Sequence, residues 1–177
     1  MATIVSGDSE IDLSTLHKLC TPVSGTSAPN WERIEEWLDN EYPDVTKKAA
    51  EYAGEQFETR ALHVVCRHKP PVVIIEKLLR ASEETVEWPD AFGWLPLHYA
   101  AGNGASVEVL RTLINRFPGS KVKVDKRQRT PLHFAVGSVD HPVTTEVAEI
   151  LCDSGGKFFS TSIENSKKSC AFTLHFV

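Results

Sequence analysis

Residues 93–106 read GWLPLHYAAGNGAS: a proline inside a run otherwise suited to a helix, a histidine two positions on, and a glycine-x-glycine close. Such a stretch is either a reactive or phosphate-binding loop or a structural device. Proline at the first position of a helix sacrifices no hydrogen bond, because the N–H it lacks would have had no intrahelical acceptor, and its fixed φ already suits the helix. Pro96 therefore predicts a helix start, and Gly102 and Gly104 a tight turn after it.

The register recurs. Leu95-Pro96-Leu97-His98-Tyr99-Ala100-Ala101 is matched 35 residues later by Thr130-Pro131-Leu132-His133-Phe134-Ala135-Val136, and 35 residues earlier by Arg60-Ala61-Leu62-His63-Val64-Val65-Cys66. Phe172-Thr173-Leu174-His175-Phe176-Val177 repeats it again after a longer gap, so His63, His98, His133 and His175 hold equivalent positions. After each of the first three copies comes an aliphatic segment with apolar residues spaced by three and four: residues 72–79, 107–114 and 146–151. That spacing predicts amphipathic second helices. Turn-forming residues 88–93 and 124–129 then lead into the next copy, which completes a unit of about 33 to 35 residues.

The order Asp-x-x-Gly-x-Thr-Pro-Leu-His-x-Ala-Ala, a glycine-containing turn and an aliphatic helix resembles the ankyrin repeat, most fully over Asp90 to Pro118 and Asp125 to Gly155. The resemblance implies an all-α solenoid of stacked helix-turn-helix units with extended connecting loops. It also implies that the histidines bond main-chain groups near the loops and tie neighbouring repeats together. The chain departs from the pattern where Arg60, Leu95 and Phe172 replace threonine, Ala61 and Thr173 replace proline, and Gln128 replaces the loop glycine. Thr130 retains the residue type that caps a helix by accepting a main-chain N–H.

The organisation expected is a disordered N-terminus over 1–28, a helical cap or degenerate repeat over 29–57, ankyrin repeats over 58–156 and a truncated repeat over 157–177. In the second segment Trp31, Ile34, Trp37 and Leu38 form an apolar stripe behind a candidate N-cap, Asn30, and a further helix is expected over about 44–57. Terminal units of a solenoid need covering, so a sequence stopping inside a fourth motif at Val177 is expected to be a piece of a longer protein.

Composition narrows the chemistry. A formal net charge of −5 argues against non-specific nucleic-acid binding, and the longest apolar run, Val72-Val73-Ile74-Ile75, is far too short to span a bilayer. Cys20, Cys66, Cys152 and Cys170 form no CxxC pair, which is consistent with free thiols in a reducing compartment, the cytoplasm or the nucleus. Gly102-Asn103-Gly104 has neither a preceding strand nor a following Gly-Lys-Ser/Thr, so it is read as a turn. His63, Cys66 and His68 are metal-ligating types close together and support an alternative reading as a metal-dependent enzyme, but they lack a fourth ligand. No cofactor, metal or catalytic group is expected.

What remains is a surface. By the family pattern the positions facing a partner are Ala91, Phe92 and Trp94; Lys126, Arg127 and Arg129; and Arg67, His68, Gly102, Asn103, Gly137 and Ser138. Aromatic and arginine side chains carry most interface energy, which singles out Phe92, Trp94, Arg127 and Arg129, with Arg67, His68, Asn103 and Lys126 beside them. The five cations of residues 121–129, in an otherwise acidic chain, read either as a solvated loop or as an electropositive finger that gives a monomeric, non-catalytic scaffold an acidic protein partner. A non-functional fragment is the further alternative.

Overall fold

The computed structural model describes residues 3–6, 9–23, 25–55 and 57–152. Strands β1 (Thr3–Ser6) and β2 (Ser9–Asp12) form an antiparallel hairpin. Nine α-helices follow among the described residues: α1 (Ser14–Leu19), α2 (Trp31–Asn40), α3 (Pro43–Glu51), α4 (Ala61–Cys66), α5 (Val72–Ala81), α6 (Pro96–Gly102), α7 (Val107–Arg116), α8 (Pro131–Val136) and α9 (Thr145–Cys152). The repeat expected over 157–177, with His175, lies outside the described residues.

Two rows of helices make the array. The short helices α1, α4, α6 and α8 pack in sequence as one row, the longer α2, α5, α7 and α9 as the other, and α3 wedges against α1, α4 and α5. Leu62 and Leu97 are buried at the repeated leucine position, and Ala61, Ala100 and Ala101 keep the first row slim enough for close approach. Ile74, Ile75, Leu78 and Leu79 of α5 and Val109, Leu110 and Leu113 of α7 close the core from the second row. Each such side chain contributes about 1.5–3 kcal/mol by leaving water.

The histidines cap and link. In α4 the main-chain N–H of Arg60 donates to His63 Nδ1 at 3.2 Å; in α6 Leu95 donates to His98 Nδ1 at 3.0 Å; in α8 Thr130 donates to His133 Nδ1 at 3.2 Å. The opposite nitrogens reach the next unit, His63 Nε2 to the Trp94 carbonyl and His98 Nε2 to the Arg129 carbonyl, both at 3.2 Å. A main-chain N–H can only donate and a carbonyl only accept, so each of these two rings is the neutral tautomer with its proton on Nε2. Burial in the first place pushes both imidazoles down in pKa, His63 to about 4. Thr130 was expected to accept a main-chain N–H as a cap; instead its hydroxyl faces His133 Nδ1 at 2.8 Å, its own N–H donates to that ring nitrogen, and the His133 N–H donates to the Thr130 carbonyl at 3.0 Å. At Arg60 and Leu95, which stand where the pattern has threonine, the N-cap N–H has the same histidine acceptor.

Within 1–28, the stretch expected to be disordered, the described residues include the hairpin and α1. Beyond the hairpin, α1 places Leu16 and Cys20 in the core, one turn apart on one face. Thr15-Leu16-His17-Lys18-Leu19-Cys20 is a further copy of the repeated motif, aligned with Ala61-Leu62-His63-Val64-Val65-Cys66. His17 Nε2 lies 3.3 Å from Thr59 Oγ1, and Thr59 is the residue before Arg60 as Trp94 is before Leu95. The leading unit therefore has both of its helices, α1 and α2. Asn30 caps α2 as expected, accepting from Arg33 N at 3.0 Å. The helix expected over 44–57 is α3, which stops at Glu51 because the chain turns extended at Tyr52, and Gly54 N bonds the Thr59 carbonyl at 2.7 Å.

Candidate interaction surface

The second and third loops between repeats are each folded by an aspartate. Asp90 Oδ1 accepts from Phe92 N and Trp94 N, both at 2.8 Å, and Asp125 Oδ1 accepts from Arg127 N at 2.8 Å and Arg129 N at 2.9 Å. A short side-chain acceptor bonding the main chain two residues ahead is what makes aspartate a turn former. The turns need a left-handed residue, supplied by Gly93 at φ 83° and by Gln128 at φ 61°. The loops are also stitched to one another: Ala91 N donates to the Phe57 carbonyl at 2.9 Å and Lys126 N to the Phe92 carbonyl at 3.2 Å. Phe57, Phe92 and Arg127 thus occupy one register at the tips of three successive loops.

Among the eight residues singled out from sequence, two groups separate. Trp94 is half-buried, its ring 4.9 Å from Phe134, 5.2 Å from Tyr99 and 5.4 Å from Phe92, and its Nε1–H donates to Asp125 Oδ2 at 3.0 Å. Arg129 donates to the same oxygen through Nε at 3.0 Å and Nη2 at 2.8 Å while its guanidinium stands 4.6 Å from the Phe134 ring centre. Burial drives the Asp125 carboxyl upward, but the hydrogen bonds from Arg129 and Arg127 outweigh it and hold the group below the usual carboxylate value. Asn103 turns inward, donating to the Tyr99 carbonyl at 2.8 Å. Arg67 is exposed with its guanidinium 5.7 Å from the Tyr99 ring centre, and His68 is half-buried, burial lowering its pKa against a main-chain hydrogen bond with Ser27.

The other group faces outward. Phe92 is 41% exposed; Lys126 and Arg127 are exposed, with Lys126 Nζ donating to the Ala91 carbonyl at 2.6 Å. Joining them is a residue the sequence reading passed over, Phe57, 54% exposed with its ring centre 4.9 Å from that of Phe92. The signal was available: Phe57 precedes Phe92 by the repeat period of 35 residues. A Cβ added at Gly102 would meet Phe134 at 3.4 Å, and one at Gly104 would meet His141 at 2.8 Å, too close unless that side chain shifts.

His63, Cys66 and His68 are not brought together as a ligand set. Both His63 nitrogens are engaged within the array, Cys66 is fully buried with its thiol pushed well up by burial, and among the described residues no three histidine, cysteine or acidic side chains are grouped to hold a metal. No helix among the described residues is long and apolar enough to cross a membrane. The sequence model of the family described as Ankyrin repeats (3 copies) matches residues 62–162. No curated protein matches the chain.

Proposed function

The chain belongs to the ankyrin-repeat family, and from that membership we propose that it is a non-catalytic scaffold that binds another protein through the loop tips and first-helix face of the array. Ankyrin repeats generally mediate protein–protein interaction. The observation that carries the reading is the row of outward side chains at one loop register, Phe57, Phe92 and Arg127, on a main chain held rigid by Asp90, Asp125 and the interloop bonds. A preorganised backbone presenting aromatic and arginine side chains binds with little ordering cost.

Phe92, Lys126 and Arg127 are the direct contacts in this reading, with Arg67, His68 and Asn103 along the first-helix face and Trp94 and Arg129 bracing the loops from behind. The exposed cations Lys123, Lys126 and Arg127 favour an acidic partner over nucleic acid, since the chain as a whole is negative. The protein acts as a monomer, and the buried free thiols of Cys20 and Cys66 suit a reducing compartment, the cytoplasm or nucleus. The test is affinity capture with the intact protein beside its Phe92→Ala, Arg127→Glu double variant. Partners recovered by the first and lost by the second are expected, and identical partner sets would overturn the reading.

A further inference from the structure

Resting on the protein-binding reading, we infer that the occupant of the loop tips is an extended acidic segment of a partner protein, anchored by one large apolar side chain on the Phe57–Phe92 pair and oriented by a charge gradient along the row. The first-helix residues are largely spoken for: Asn103 caps α6, His68 is partly covered near Ser27, and Arg67 lies near Tyr99. Trp94 and Arg129 are committed to Asp125. At the tips, by contrast, two phenylalanines stack on each other in water, 54% and 41% exposed. Phe57 does so in the left-handed region, at φ 65°, followed by Glu58 at φ 55°. A bulky residue there costs on the order of 1–2 kcal/mol, and strain kept together with exposed aromatic surface marks a contact site.

Charge along the row is unequal. Glu55 and Glu58 are exposed beside Phe57, while Lys126 is bonded to the Ala91 carbonyl next to Phe92, and Arg127 and Lys123 are exposed without an ion-pair partner among the described residues. A carboxylate on the partner is drawn to the Arg127 end and repelled at the Phe57 end. Packed helices stand about 8–10 Å apart, and an extended chain advances about 3.3 Å per residue. The partner's acidic residues should therefore lie roughly three positions to one side of its apolar anchor. The opposite side should be neutral or basic.

The experiment selects a random twelve-residue peptide library against the whole immobilised protein and measures the chosen peptides by fluorescence anisotropy. Enriched peptides are expected to carry one aromatic or large aliphatic residue with acidic residues clustered on one side of it. Phe57→Ser and Phe92→Ser should each weaken them about tenfold, and Arg127→Glu should weaken them similarly and shift selection toward basic peptides. Because Arg127 is exposed and its side chain is unpaired among the described residues, that variant reports on binding even if a phenylalanine variant unfolds. Basic peptides, or peptides indifferent to both phenylalanines and Arg127, would overturn the inference. Peptides lost on Arg67→Ala but not on the tip changes would overturn it while leaving the protein-binding reading intact; no enrichment would remove both.

Discussion

The indole of Trp94 and the carboxylate of Asp125 meet across a repeat boundary, Nε1 to Oδ2 at 3.0 Å. One side chain of the second loop thereby reads the position of the third. Asp125 is buried and also binds Arg129 and the turn N–H groups, so the contact sets the spacing of neighbouring loops as well as the shape of one.

Replacing Trp94 with phenylalanine keeps a ring among Phe92, Tyr99 and Phe134 but removes the donor to Asp125. A hydrogen bond to a charged group contributes about 1.5–3 kcal/mol, and Asp125 retains other donors, so the lower end applies. Tm should fall by roughly 3–6 °C in a calorimetric scan. An unchanged Tm would mean that the loops do not depend on this bond.

Acid should loosen the array from a predictable pH. His63 titrates near 6.5 when unfolded and near 4 when folded, so the unfolded chain binds the extra proton between those values. Its share of stability is complete above about 6.5, declines as pH falls through the window, and is gone below about 4; His98 and His17 shift in the same direction. The shift of His63 corresponds to about 3 kcal/mol in all. Urea titrations from pH 7.5 down to 4.5 should show the decline, and His63→Gln should flatten it.

Gln128 and Gly93 hold the same place in successive loops, at φ 61° and φ 83°. Gln128→Gly relieves a left-handed side chain and, after the entropy glycine adds to the unfolded chain, should stabilise by roughly 0.5 kcal/mol. Gly93→Ala should do the reverse by about 1–2 kcal/mol, since its new Cβ would also stand 3.2 Å from Lys126 N. Opposite signs in paired melts check the equivalence.

If α1 is the first helix of a complete leading repeat, Leu16→Ala should be as damaging as Leu97→Ala, about 2–5 kcal/mol. Val23→Ala, at a side chain 77% exposed, should change stability by less than about 0.5 kcal/mol. Equal, small effects for Leu16 and Val23 would detach α1 from the array.

The central units were legible because their motifs stand at a constant spacing of 35, which puts Leu62, Leu97 and Leu132 at one repeated position. The first helix of the leading unit was not, because α3 stretches the interval from His17 to His63 to 46 residues, which hides His17 from the period although it still reaches Thr59 at the next junction. The surface was half legible. Arg127 and Phe92 are exposed at the loop tips, but nothing local to Trp94 announces an acceptor 31 residues away in Asp125. Phe57 was passed over because its loop carries no Asp-x-x-Gly signature, only the period.

Each linking imidazole looks one way: His17 toward Thr59, His63 toward Trp94, His98 toward Arg129. Failure of the stack therefore has a polarity. Losing His63 weakens the seam on its C-terminal side and spares the link behind it, where His17 still reaches Thr59, so damage at a single unit falls on one known junction.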